Sequence, residues 1–202
     1  MKILFFTQYF WPENFRINEL VDFLSKKKSV ILTGYPSYPQ KKNFDKNNYL
    51  KKIFLSKKCE IKRVPVYLRN NTNLSIIFNY ISFFFSSLTI GFFKIFKENF
   101  DIIFVFCPSP ILNAIPAIIF KKIFKKKIVI WVLDLWPDTV VDLKLVNNKF
   151  IVWILRSLVI YIYNNSDLIL AQSEAIRNSI RKLTKSNCIY FPSWSEEISK
   201  VK

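Results

Sequence analysis

The residues best suited to chemistry in this 202-residue chain lie in Trp131-Val132-Leu133-Asp134-Leu135-Trp136-Pro137-Asp138, where an apolar run stops on an acid. A carboxylate at the end of a buried strand can accept the proton of a hydroxyl and make that oxygen nucleophilic. Asp134 is the candidate for that role; capping a turn is the competing use of the same residue. Asp138, behind Pro137, reads first as a helix-entry residue and second as a ligand contact. Trp136, Tyr9 and Trp11 offer flat faces for stacking on a ligand, and burial in the core is their other reading. Ser109, between Pro108 and Pro110, presents a hydroxyl and free amides at a helix start, or simply a proline-rich turn. Glu13, Asn14 and Arg16 share one turn at the expected start of the first helix. The Arg16 guanidinium has the fork that fits phosphate oxygens there, with a plain surface arginine as the alternative.

What the chain lacks narrows the chemistry. It has no histidine, which excludes Ser-His-Asp and Cys-His nucleophile systems and any His-ligated metal within it. Cys59, Cys107 and Cys188 are odd in number and far apart, so neither a disulfide framework nor a zinc site is indicated. The only two glycines are Gly34 and Gly91. The turn from Thr7 to Asn14 therefore lacks the dinucleotide fingerprint, and no phosphate-cradling P-loop is present. No metal and no cofactor is expected on this chain, and the chemistry falls to carboxylates, amides and hydroxyls.

The elements that must hold these residues follow from short apolar runs. Residues 2–6, 29–33, 61–66, 102–106, 128–133, 168–171 and 189–191 read as strands. Helices are expected over 13–24, 111–124, 150–164 and 174–182. Continuous apolar strands alternating with helices predict a doubly wound, Rossmann-like α/β domain, its mostly parallel sheet covered by helices on both faces. Such sheets place ligands at the carboxyl ends of their strands, where Asp134 and Ser109 fall. Residues 41–58 are the most polar part and the expected mobile segment.

Charge and apolarity point outward together. Lys and Arg number 31 against 14 acids, giving +17, while 51% of residues are hydrophobic and 17% aromatic. So basic a chain suits an anionic partner. Its aromatics lie in apolar runs instead of alternating with Lys, which favours lipid over nucleic acid; codon bias of an AT-rich genome is the plainer source of the same composition. Residues 74–93 form 20 uncharged positions, enough to cross a bilayer. Crossing would separate the strands before them from those after, so an in-plane or buried helix is expected. Thr72, Ser75, Asn79, Ser82, Ser86 and Thr89 recur at helical spacing as a polar stripe. Phe84, Phe85, Phe92 and Phe93 are expected to reach lipid, with Lys94 and Lys97 at headgroups. Lys121, Lys122, Lys125 and Lys126 form a second candidate contact, or a solvated helix end. The amino terminus, Met1-Lys2 followed by a strand, does not read as a secretory signal, so a cytoplasmic location is expected.

Several motifs stand in order: Tyr9-Phe10-Trp11-Pro12-Glu13-Asn14-Phe15-Arg16-Ile17-Asn18, Leu32-Thr33-Gly34-Tyr35-Pro36-Ser37-Tyr38-Pro39, Arg63-Val64-Pro65-Val66-Tyr67, Asn79-Tyr80-Ile81-Ser82-Phe83, Pro108-Ser109-Pro110 and Asp134-Leu135-Trp136-Pro137-Asp138. Together they resemble the amino-terminal domain of GT-B glycosyltransferases of family four, in the branch that builds colanic acid, capsule and O-antigen. The resemblance covers nearly all of residues 1–202. It implies an acceptor-side domain facing a second, nucleotide-sugar-binding domain across a cleft, with retention of anomeric configuration and no metal. It also implies a lipid-linked sugar acceptor and a peripheral, monotopic position on the inner face of the cytoplasmic membrane. Asp134 would act at the lip of that cleft, near an acceptor site drawn from Tyr9, Trp11, Glu13, Asn14, Arg16, Ser109, Trp136 and Asp138. Three departures stand out. The sequence stops at Lys202, where relatives begin the linker to the donor domain; Lys27-Lys28 replaces a Gly-His turn; and Leu133 stands where a Gln commonly precedes the acid. The nucleotide sugar would then bind a domain absent here, supplied by a separate chain or a longer gene product. The alternatives are an inactive truncated remnant or a non-enzymatic basic membrane-surface protein.

Overall fold

A computed structural model describes residues 1–24, 29–38, 59–70, 72–142, 144 and 146–194. The expected mobile segment 41–58 lies outside the described residues, as do Pro39, Lys27 and Lys28. Seven strands form one sheet: β1 (Ile3–Phe6), β2 (Ser29–Gly34), β3 (Cys59–Val64), β4 (Ile102–Cys107), β5 (Lys127–Val132), β6 (Leu168–Ala171) and β7 (Cys188–Tyr190). Their order is β3-β2-β1-β4-β5-β6-β7, and every pairing is parallel. The sheet is the doubly wound, Rossmann-like one that the apolar runs predict, parallel throughout. Sheets of this kind are buried on both faces, which is why β1 and β2 carry buried residues at every position.

The two faces have separate cores. One gathers Leu4, Phe6, Leu32, Val105, Ile130 and Ile169 with inward residues of four helices. These are α2 (Asn73–Ile95), α3 (Ile115–Phe124), α5 (Lys149–Asn164) and α6 (Glu174–Leu183). The other face packs Phe5, Ile31, Phe104, Phe106 and Trp131 against α1 (Ile17–Leu24) and against Phe191 and Trp194. A short helix, α4 (Asp138–Asp142), and a 3-10 turn over Ile111–Ala114 complete the described elements.

Strand ends shift by one or two residues, β3 from the expected 61–66 to Cys59–Val64, and two helix starts differ further. The first helix starts at Ile17, not at residue 13, because residues 10–16 are taken by turns held by Glu13 N–H to Phe10 O and Phe15 N–H to Glu13 O. Expected as one helix, 111–124 opens instead with the 3-10 turn. Helix α2 runs from Asn73 to Ile95 through a π-turn at Ser87–Gly91. It lies close on the sheet at Gly91, where an added Cβ would come within 3.1 Å of the Leu32 side chain.

Helix α2 has an inverted arrangement. Its polar positions Ser75, Asn79 and Ser87 are buried, with Phe83, while Leu74, Ile77, Phe78, Ile81 and Phe85 are exposed. Among the described residues it alone is long and apolar enough to cross a membrane, and only 22% of its most apolar stretch is buried. The strands on either side of it, β3 and β4, belong to the same sheet, so α2 cannot cross a bilayer while the sheet is intact.

Candidate functional site

The strand order reverses direction at β1, with β2 on one side and β4 on the other. The crevice outside the carboxyl ends of these strands is where open α/β sheets receive ligands. Gln8, just past β1, sits at its floor. Its side chain donates to Asn79 Oδ1 (2.7 Å) and accepts from Asn113 Nδ2 (2.5 Å), tying the strand end to α2 and to the turn after β4. Asn79 is fully buried; it donates to Ser37 Oγ (3.1 Å) and Tyr67 O (2.6 Å) and accepts from Arg69 Nε (3.1 Å). Thr7, Gln8, Ser109 and Asn113 line a small pocket of about 10 Å³, roughly room for one water molecule.

Arg69 is the buried cation of this network, 8% exposed. No carboxylate lies in ion-pair range of it among the described residues. Its guanidinium instead donates to the Tyr9 hydroxyl and lies over the rings of Tyr80, Tyr9 and Tyr38, at 4.9, 5.3 and 5.5 Å from their centroids. Ring faces carry negative charge density and offset part of the cost of burying the cation. Tyr9, expected to stack on a sugar, is buried here and stacks on Phe15 at 5.0 Å. Burial, first of all, pushes its hydroxyl pKa well up. The ring belongs to the core because a phenol so close to Phe15, Tyr38 and Arg69 has no open face.

Glu13 also has a structural occupation. Its buried carboxylate accepts the backbone N–H groups of Phe10 (3.2 Å), Ser37 (2.9 Å) and Tyr38 (2.8 Å), latching the turn after β1 to the turn after β2. Burial raises its pKa, against those three donors and Arg63. The expectation that it opens the first helix is thus corrected: it precedes α1 and points inward. Asn14 is exposed. Arg16 pairs with Glu19 at 3.0 Å. Trp11 is half-buried, and its indole nitrogen is buried without a hydrogen-bond partner among the described residues.

The second group stands on the ends of β4 and β5. These strands pair through Cys107 and Val132, which brings Ser109 and Asp134, each two residues further on, to adjacent strand ends. Trp136 Nε1 donates to Ser109 Oγ at 3.2 Å, fixing the ring against the proline turn. Asp134 is half-buried, and no hydrogen bond or ion pair engages it among the described residues. Burial alone raises its pKa above the ordinary aspartate value. Asp138 is the first residue of α4, exposed and 3.4 Å from Arg156, as a helix-entry acid should be. The peptide bonds before Pro12, Pro110 and Pro137 are cis, one at each of these three strand ends.

The residues expected at lipid divide. Phe85 and Phe93 are exposed, Phe93 by 79%, and Phe84 is half-buried. Phe92 turns inward onto Phe120 and Phe124, at 6.1 and 5.9 Å, because the π-turn rotates it toward the core. Lys97, Lys122 and Lys125 are exposed; Lys94, also exposed, donates to Arg63 O at 2.6 Å. Lys126 is half-buried, and Lys121 pairs with Asp167 at 2.8 Å.

Gln8, Ser37, Arg69 and Asn113 were not singled out from sequence, since isolated polar residues at strand ends carry no spacing signal. An Asn inside 20 uncharged positions was the one visible hint. Among the described residues no group of three or more Cys, Asp or Glu gathers as metal ligands would.

No family model and no curated protein matches the chain in sequence. Solved structures do. The chain is similar to apo UGT2 of Phytolacca americana, with a TM-score of 0.54 and 8% identity, over 96% of this chain and 51% of that one. It is also similar to a UDP-glucosyltransferase from Polygonum tinctorium capable of glucosylating indoxyl, in its complex with 3,4-dichloroaniline. That match has a TM-score of 0.51 and 10% identity, over 95% and 51% of the two chains. The chain thus spans about half the length of these glycosyltransferases. Its fold is that of one Rossmann-like half of a GT-B glycosyltransferase.

Proposed function

We propose that this chain is the acceptor-binding half of a retaining glycosyltransferase of the family-four branch, one that passes a sugar from a nucleotide-sugar donor to a lipid-linked saccharide in bacterial surface-polysaccharide synthesis. The observation that carries this reading is the inverted helix α2, apolar side outward, on a half-GT-B fold. A domain that must meet an acceptor anchored in a bilayer has use for such a face. The order of motifs along the sequence supports the same branch. The domain would lie peripherally on the inner face of the cytoplasmic membrane, with the nucleotide sugar held by a donor-binding half on a separate chain or a longer product.

Asp134 is the residue for the acceptor hydroxyl. It stands at a central strand end with no competing partner among the described residues, and partial burial raises its proton affinity. Both properties suit a group that orients a sugar hydroxyl and receives its proton. Trp136, steadied by Ser109, offers the adjacent flat face for the sugar ring. The test is transfer from nucleotide sugars to extracted lipid-linked sugars, with and without the product of the neighbouring gene. The reading expects no turnover by the 202-residue chain alone. It expects turnover in the presence of a donor-binding half, with a loss of about 100-fold or more in Asp134→Asn. Full activity of Asp134→Asn would remove Asp134 from the reaction.

A further inference from the structure

Helix α5, outside the face already assigned to lipid, leaves a second apolar surface in solvent. Val159, Ile162 and Tyr163 turn inward, while Phe150 (66% exposed), Trp153 (63%), Ile151 and Ile154 turn outward. The Phe150 and Trp153 rings stack on each other at 6.0 Å. The place of this surface follows from contacts at both ends. Lys121 and Lys122, in the last turn of α3, donate to Asn165 O (2.8 Å) and the Tyr161 hydroxyl (3.0 Å), and the 3-10 turn that leads into α3 also packs on α5, so α3 and α5 run side by side in one direction. Their amino ends therefore lie at the carboxyl ends of the strands. Arg156, midway along α5, reaches Asp138 at 3.4 Å, which sets the middle of α5 beside the segment carrying Asp134 and Trp136 and its earlier turns further out along the rim. Helix α2 packs on the same sheet face and likewise begins at this rim, where Asn79 meets Gln8.

We infer that the first two turns of α5 are a second lipid-inserting element, and that α2 and α5 together seat the strand-end rim against an anionic bilayer. This rests on the reading that α2 meets lipid. Exposed Lys149 and Arg156 on α5, with Lys144 just before it, fringe the apolar face. A Trp and Phe pair among basic residues fits the boundary between headgroups and acyl chains. The net charge of +17 on the whole chain favours anionic lipid over a second copy, since two such chains repel. With both helices seated, a lipid-linked saccharide would emerge from the bilayer beside Asp134.

The experiment uses the full chain with vesicles of phosphatidylglycerol and phosphatidylcholine at low salt. F150S/W153S and, separately, L74S/F78S are compared with wild type by sedimentation; all four positions are exposed, and circular dichroism checks folding. Each pair should lower vesicle partitioning by roughly tenfold or more. Brominated lipid should quench a component of wild-type tryptophan emission that is missing from Trp153→Phe, a variant that keeps partitioning near wild type. Weakening by L74S/F78S alone, with no Trp153 quenching, would overturn the role of α5 and leave that of α2. If neither pair alters binding, both lipid readings fall. Loss of self-association in F150S/W153S with unchanged vesicle binding would make the face a protein interface and overturn the inference.

Discussion

Replacing Asn79 with Ala removes the centre of the polar network beneath the candidate site. Four hydrogen bonds go: to Ser37 Oγ and Tyr67 O, and from Gln8 Nε2 and Arg69 Nε. The neutral three are each worth about 1 kcal/mol net and the charged one about 1.5–3 kcal/mol, with further cost where a buried donor stays unpaired. Water entering the vacated space recovers part of this, leaving a predicted loss of about 3–5 kcal/mol. That is a large share of the roughly 5–15 kcal/mol that holds a domain together. Urea denaturation followed by circular dichroism reads it as a lower midpoint at unchanged slope. A double-mutant cycle with Arg69→Met should give a coupling above about 1 kcal/mol, because the two side chains touch. A loss under about 1 kcal/mol for Asn79→Ala would refute the idea that this network fixes the strand ends.

Other outcomes follow from the same geometry. Glu13 has a raised folded pKa, so the folded state holds its proton more tightly than the unfolded chain, and its contribution to stability falls as pH rises from about 4.3 through the raised value. Wild-type stability minus that of Glu13→Gln should therefore decline across that window; a difference flat with pH would show that burial does not perturb Glu13. Glu98, held low chiefly by Lys62, acts in the opposite sense: its contribution is present above the ordinary range and lost as pH falls through its lowered value. Lys62→Met should flatten acid unfolding at the low end. Gly34→Ala would set a Cβ 2.9 Å from Val66 Cγ1 and 3.1 Å from Gln8 O, a cost of about 1–3 kcal/mol. Adding Val66→Ala should recover part of it in the same denaturation assay.

The sheet was legible because most strands are apolar runs, the edge strand β3 with Glu60, Lys62 and Arg63 being the exception, and each expected strand overlaps an observed one within a few residues. Asp134 and Ser109 were legible for the same reason, since a polar residue directly after such a run falls at a strand's carboxyl end. The roles of Tyr9 and Glu13 were not. Whether an aromatic or acid at a strand end faces a crevice or the core depends on Arg69 and on the turn at Ser37 and Tyr38, both remote in sequence. The polar stripe on α2 was visible from its spacing, whereas its inward direction required Gln8, Tyr67 and Arg69 to supply partners. The outward aromatics of α5 carry no sequence mark that separates them from a core helix.

The most direct test of the central claim is equilibrium binding of a lipid-linked saccharide to the chain on anionic vesicles. Binding should saturate, should require the saccharide, and should weaken about tenfold or more in Asp134→Asn and in Trp136→Ala, as loss of a buried polar or stacking contact implies. Equal binding of the lipid without its saccharide, unaffected by either substitution, would contradict an acceptor site at these strand ends.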